Sequence, residues 1–241
     1  MVIFVTNATG FVGSHLCRQL QEHNHEVIAL VRNYKKFEKT GLSIKTVIGD
    51  LSPESVAGWV QELPPTIDAV IHNAGQVHAH RIKEFFQTNT QGTRNLVQEL
   101  RKRYEKLHFL FISSVGAMGP STETPLVETD PRMPVSCYGL SKKLAEEILD
   151  KYSPPQWTLT ILTPAIVIGP GDPAMVDIFR MVYNRLFIGF GLNFRKKTYS
   201  FVSIFDLISA TEKALFRGGN RKEAYFIAHP DACTSVTLIR T

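Results

Sequence analysis

Tyr138 and Lys142 stand four residues apart in Tyr138-Gly139-Leu140-Ser141-Lys142, at the start of a segment with amphipathic spacing. On a helix that spacing puts both side chains on one face. A phenol with a pKa of about 10 is a poor acid or base at neutral pH, and a nearby ammonium favours the phenolate. The pair predicts proton transfer at a hydroxyl or carbonyl, with Tyr138 as acid/base and Lys142 as its activator. Tyr-x-x-x-Lys is common on surface helices; its weight here comes from following Ser113-Ser114 and an N-terminal glycine turn. Ser114 ends an apolar run, and the carboxyl ends of parallel strands line a ligand crevice. Its hydroxyl can hold a substrate oxygen against Tyr138, whereas Ser113 reads equally well as a strand terminator.

The turn is Thr6-Asn7-Ala8-Thr9-Gly10-Phe11-Val12-Gly13, between an apolar run and an amphipathic one. In that context backbone N–H groups meet a pyrophosphate at the positive end of the helix. Gly10 allows close backbone approach and Gly13 lets the helix lie on the strand. Asn7 stands where the pattern has its first glycine, and asparagine tolerates positive φ. Arg32 directly follows the second run, and no acid occurs between residues 27 and 37. An NAD site places a carboxylate there for the ribose hydroxyls, while a guanidinium suits a 2′-phosphate. Arg32, with Lys35 and Lys36 nearby, therefore predicts NADP (NADPH) over NAD, the alternative being an ordinary surface arginine. Asp50, in Gly49-Asp50-Leu51, is equally readable as an adenine contact or a turn aspartate.

Positioning these groups needs alternating strands and helices. Apolar runs at residues 2–6, 26–31, 44–48, 69–72, 108–113 and 158–162 read as strands buried on both faces. Helical spacing falls at 11–22, 54–61, 83–104 and 135–151. This is a Rossmann-type, doubly wound parallel α/β sheet. We read residues 1–162 as the NADP-binding domain. Residues 163–241 read as a small C-terminal substrate lobe, incomplete as it stands, with segments returning to the larger domain. Its elements are helices at 178–186 and 205–216, a strand at 224–227 and a helix starting near Ser235. Met175, Phe179, Met181, Phe187 and Phe190 read mainly as lobe core. Arg180, Arg185, Arg195 and Lys196 read as solvated charge or as a clamp for an anionic group, and Asp206 as a helix cap.

Composition narrows the class. Apolar residues at 44% and charged residues at 20% suit a chain with a full core. The formal net charge of +5 is spread over short clusters without aromatic platforms, which disfavours nucleic acid as a partner. Cys17, Cys137 and Cys233 are odd in number and far apart; they form no metal pattern and read as reduced thiols. With a first strand from Val2 and no long apolar run, the expectation is a cytoplasmic protein with no signal peptide and no membrane span.

Taken together, these residues resemble the extended branch of the short-chain dehydrogenase/reductase superfamily, the NAD-dependent epimerase/dehydratase family. The resemblance covers nearly the whole chain. Besides the turn, Gly-Asp-Leu (49–51) and the Tyr–Lys segment, it rests on His-Asn-Ala-Gly (72–75), Asn-Thr-Gln-Gly-Thr-Arg-Asn-Leu (89–96), Phe-Ile-Ser-Ser (111–114), Pro-Ala-Ile-Val-Ile-Gly-Pro (164–170) and Phe-Val-Ser-Ile-Phe-Asp-Leu (201–207). It implies a hydride-transfer site with Tyr138 as acid/base, Lys142 as activator and ribose contact, and Ser114 as substrate orienter. It also implies that Asn89 supports the site's hydrogen-bonded water. Leu51, Asn73, Ala74 and Gly75 would border the cofactor, with the latter two beside its ribose. The segment around Pro164, Ala165 and Val167 would meet the nicotinamide amide. Sugar dehydratases of the family carry Asp-Glu after the strand-five hydroxyl; Val115-Gly116 stands there, which argues against dehydration. Arg32, and Thr163-Pro164 in place of Arg-Pro, lean toward the dihydroflavonol-reductase-like branch. The expected reaction is reduction of a small ketone or aldehyde. Nucleotide-sugar epimerisation with retained NAD(P) is the first alternative, and a non-catalytic NADP sensor the second. A homodimer through a four-helix contact of 83–104 and 135–151 is a further expectation.

Overall fold

The apolar runs become the strands of one parallel sheet. The structure is a computed structural model and describes residues 1–121, 124–172, 175–176, 180–181, 183–184, 197–217 and 221–234. Among these, β1 (Val2–Thr6), β2 (Glu26–Val31), β3 (Lys45–Ile48), β4 (Ala69–His72), β5 (His108–Ile112), β6 (Thr158–Pro164) and β10 (Lys222–Ile227) form a seven-stranded sheet ordered β10-β6-β5-β4-β1-β2-β3. β1 lies parallel between β2, with Val2 opposite Glu26, and β4, with Ile3 opposite Ala69. The strand order reverses at β1, so the crevice of this doubly wound sheet opens there, at the carboxyl ends.

Strand alternation builds two cores. Phe4 points into a cluster with Trp59, Leu96, Phe109, Phe111 and Trp157, while Ile3 and Val5 join Leu16, Leu20, Ile71 and Leu110 on the opposite face. The first cluster lies under α3 (Pro53–Trp59), α5 (Gly92–Arg103) and α6 (Cys137–Tyr152). The second lies under α1 (Phe11–Glu22) and α7 (Ile204–Phe216). Each fully buried Leu, Ile or Phe contributes roughly 1.5–3 kcal/mol, so the frame holding the site is anchored from both sides.

Two features differ from the sequence expectations. The helix expected at 83–104 is α4 (Ile82–Phe85), a π-helical stretch at Phe86–Gln91, and then α5. The wider turn falls at Asn89, whose side chain is buried, and π-bulges of this kind accompany functional sites. A short helix, α2 (Tyr34–Glu38), follows β2, capped by Asn33 Oδ1 accepting the Lys36 amide at 3.1 Å. Two elements beyond residue 162 lie on the larger sheet and its helical layer. β10 extends the large sheet beside β6, and α7 packs on the α1 face.

The rest of the described lobe consists of β7 (Ile166–Ile168) paired with β9 (Phe201–Ser203), and β8 (Thr198–Tyr199) paired with β11 (Cys233–Thr234). Much of the helix expected at 178–186, together with Phe179, Arg185, Phe187, Phe190, Arg195, Lys196 and the helix from Ser235, lies outside the described residues. Met175 is buried and Met181 is exposed. The apolar faces of α5 (Leu96, Val97, Leu100) and α6 (Ala145, Leu149) are used inside the chain, under the sheet. Among the described residues no helix is long and apolar enough to cross a membrane.

Candidate active site

The glycine turn has the geometry its residues require. Asn7 takes a left-handed φ of 57°, which explains how asparagine replaces the glycine of the pattern. The Gly10 amide donates to the Asn7 carbonyl at 3.0 Å. A Cβ on Gly13 would lie 2.1 Å from that carbonyl oxygen, so only glycine lets α1 approach the turn. Gly10 caps α1 without a side-chain bond, and no acid occupies the first helical turn. That leaves the positive helix end available to an anion.

A cleft of about 680 Å³ opens at this point. Asn7, Thr9, Arg32, Asp50, Leu51, Ala74 and Gly75 line it, as expected, together with Gln76, Gln87, Thr88, Gln91 and Asn95, which the sequence reading missed. The remaining expected cofactor residues form the frame rather than the lining. Phe11 and Val12 pack their side chains on the core, and Thr6 is wholly buried. The Asn73 Nδ2 atom is buried without a partner. The size, the uncapped helix end and this orphaned donor all fit a dinucleotide.

Asp50 lines the cleft and also makes the bonds of a turn aspartate. Its Oδ1 accepts the Ser52 amide at 2.8 Å, and its carboxyl is held below the usual range, chiefly by hydrogen bonds from Ser52, with a smaller contribution from the Arg32 guanidinium. Leu51 contributes its carbonyl to Asn95 at 2.8 Å and packs against Gly92. At the β6–β7 junction, the Ala165 amide donates to Ile227 and the Ile166 amide to Ser200. Backbone contact with a nicotinamide from this segment therefore cannot use those two donors.

Ser114, Tyr138, Lys142 and Asn89 converge beyond the Gly75 end of the cleft. A Cβ placed on Gly75 would sit 3.6 Å from both Lys142 Nζ and Asn89 Oδ1. Ser114 lies two residues past the end of β5 and accepts the Gly116 amide at 3.1 Å. The Tyr138 ring lies against Gly116 and edge-on to Phe85 at 6.2 Å. Gly139 makes this packing possible, because a Cβ there would fall 2.0 Å from the Gly116 carbonyl oxygen.

The electrostatics differ from the expectation that Lys142 lowers the Tyr138 phenol. Burial raises Tyr138 above its ordinary value, and a hydrogen bond with Ser114 opposes the rise. The Lys142 ammonium donates instead to the Ile112 carbonyl at 2.6 Å and sits 4.1 Å over the Phe111 ring. Burial pulls Lys142 down to about 7, against the pull of Glu146. Because the folded value lies below the ordinary 10.5, the unfolded chain binds the extra proton between those limits, and the lysine's penalty is relieved as pH rises. In cofactor-free protein, wild type should therefore gain stability relative to Lys142→Met between pH 7 and pH 9.5, measured by urea denaturation. A difference that does not change with pH would contradict the assignment.

Asn89 holds backbone and side chain around the site directly. Its Oδ1 accepts the Gln76 amide at 2.7 Å, and its Nδ2 donates to the Gln76 carbonyl at 3.1 Å and to Ser141 Oγ at 2.9 Å. It thus clamps the 73–76 segment to α6. The sequence reading also missed Glu146, one turn beyond Lys142. Buried at the back of the site, Glu146 accepts the Ser113 hydroxyl and the Arg132 Nε. The repeat Tyr138–Lys142–Glu146 at helical spacing was a legible signal for it; nothing in the sequence marks Arg132 as its partner.

Comparison with known proteins places this frame and site in a family. The model of the NAD dependent epimerase/dehydratase family matches residues 3–228, and the chain belongs to that family. It is 32% identical over 177 residues to a UDP-glucose 4-epimerase of Yersinia pestis, covering 67% of this chain and 52% of the relative. The chain thus spans about half the length of that relative. It is also 31% identical over 229 residues to a putative UDP-glucose 4-epimerase of Methanocaldococcus jannaschii, covering 89% of this chain and 73% of the relative. Among solved structures, the Thermus thermophilus UDP-glucose 4-epimerase in complex with NAD superposes with a TM-score of 0.83 at 26% identity, covering all of this chain and 81% of that one.

Proposed function

We propose that the chain interconverts nucleotide-linked hexoses that differ at C4, with a nicotinamide dinucleotide held in the cleft. The observation that carries the reading is the gathering of Ser114, Tyr138 and Lys142 at the Gly75 end of a dinucleotide-sized crevice. The names of the relatives move the balance from carbonyl reduction, the reaction expected from Arg32 and Thr163-Pro164, to epimerisation.

When bound, the nicotinamide supplies a reversible hydride acceptor. The chain supplies the rest. Thr9, Asn7 and the N-terminus of α1 hold the pyrophosphate, while Ala74 and Gly75 border the ribose. Ser114 fixes the substrate oxygen against Tyr138, which removes and returns its proton. Lys142, next to Gly75, secures the ribose and favours the phenolate once its ammonium turns from Ile112 toward the site. The test is to incubate the purified protein with UDP-galactose and follow it by proton NMR. UDP-glucose should form without added reductant. Unchanged UDP-galactose, with NADPH consumed by a carbonyl substrate, would establish reduction instead.

Arg32 supports reduction as a second reading, since it lines the cleft and a guanidinium suits a 2′-phosphate. NADPH is expected to bind at least tenfold tighter than NADH, and Arg32→Ala to remove that gap. Tenfold corresponds to about 1.4 kcal/mol, within reach of one charge-assisted phosphate contact. Equal binding of both by wild type, measured by fluorescence titration, would leave Arg32 as a partner of Asp50 only.

A further inference from the structure

Behind the cleft, a chain of polar groups has a direction that the heavy-atom positions decide. The Ala74 amide donates to Thr6 Oγ1 at 2.9 Å, and Thr6 Oγ1 lies 2.9 Å from Nδ1 of His72. On the other side of the ring, Nε2 lies 2.9 Å from Thr93 Oγ1, and the Thr93 hydroxyl donates to the Asn89 carbonyl at 2.6 Å. A carbonyl can only accept, so the one Thr93 proton is committed to Asn89. Thr93 must then accept from the imidazole, which puts a proton on Nε2. His72 is fully buried, stacked on Phe111, and the charged group facing it is the Lys142 ammonium. Burial and that ammonium pull the ring down to about 3, so it is neutral and Nδ1 accepts the Thr6 proton.

The chain does not stop at Asn89. Its side-chain amide donates to Ser141 Oγ at 2.9 Å, and the Ser141 hydroxyl donates to the Tyr138 carbonyl at 2.7 Å. Two runs of hydrogen bonds, joined through the covalent frame of Asn89, thus link Ala74, on the cleft wall, to the backbone of Tyr138.

We infer that His72, as the neutral Nε2–H tautomer, is a positioning residue that couples the cofactor-bordering segment 73–75 to the Asn89–Tyr138 side of the site. The coupling rests on the cofactor reading given above; the tautomer does not. Two substitutions cut the chain on opposite sides of the ring. In His72→Asn the amide oxygen reaches the Nδ1 position and keeps Thr6 but loses Thr93. In His72→Gln the amide nitrogen reaches the Nε2 position and keeps Thr93 but loses Thr6.

The first arm of the test is nitrogen NMR of wild-type protein without cofactor. His72 should show the Nε2–H tautomer, unchanged from pH 8 to pH 5; a proton on Nδ1 or a titration near pH 6.5 overturns the inference. The second arm is nucleotide affinity and the ionisation pH of Tyr138, read by carbon NMR of ring-labelled tyrosine. His72→Gln should weaken nucleotide binding about fivefold or more and leave Tyr138 unmoved. His72→Asn should move the Tyr138 ionisation and leave binding near wild type. Equal loss of both in both variants marks a merely structural histidine and overturns the coupling. Should wild type bind neither NADPH nor NADH, the functional reading fails, and the inference is decided by the tautomer and the Tyr138 ionisation.

Discussion

Replacing Tyr138 by phenylalanine should lower turnover by about 100- to 10,000-fold, the span that a positioned acid/base contributes. The substitution removes one oxygen and little else. The ring would keep its seat against Gly116 and its edge contact with Phe85. The backbone carbonyl that accepts from Ser141 is untouched. The thermal midpoint should therefore stay within about 3 °C of wild type, and nucleotide affinity within about twofold. Steady-state kinetics beside a melting curve separate the two readouts. Retained turnover would remove Tyr138 from the chemistry, whereas lost turnover accompanied by unfolding would say nothing about proton transfer.

The largest effect on stability is expected at the ion pair behind the site. In Arg132→Met, Glu146 keeps a carboxylate that is only 4% exposed and loses its cationic partner, whose side chain is itself 23% exposed. Breaking a buried pair from one side costs about 3–5 kcal/mol, because the remaining charge loses its hydrogen-bonded cation; here it keeps only the longer-range pull of Lys142. The Ser113 hydroxyl remains as a donor but carries no charge. Replacing both partners, Arg132→Met with Glu146→Leu, should recover a large part of the loss, a strongly non-additive cycle. Urea denaturation of the two single variants and the double variant measures it. A single Arg132 variant as stable as wild type would show that solvent already screens Glu146.

Much of the frame was legible before the structure. β1, α1, β2 and β4 fall where the apolar runs and helical spacing put them, because strands buried on both faces leave a continuous β-branched signature. The glycine turn was legible down to the left-handed Asn7. The break in the helix at Phe86–Gln91 was not, since a single π turn shifts the apolar spacing by one residue and leaves no other mark. The Asn33 cap of α2 was legible in principle and was passed over. The site splits in the same way. Tyr138, Lys142 and Ser114 announce themselves by type, spacing and order. Their electrostatics do not, because the Ile112 carbonyl that holds Lys142 is backbone, and the ring beneath the ammonium lies on another element. His72 and Thr93 stand in motifs that carry the family resemblance, but no role for either follows until the fold brings His72 beside Thr6, 66 residues away in the chain, and beside Thr93, 21 residues away.

The central claim is that the hydrogen on the reacting carbon leaves and returns without exchanging with water. It is tested most directly with UDP-galactose carrying deuterium at C4, converted in ordinary water by wild-type protein. The account predicts UDP-glucose that retains the deuterium at C4, with no added reductant and no product from Tyr138→Phe. Product in which the label has been replaced by solvent hydrogen would contradict it, and would mean that the site works by direct proton abstraction from carbon.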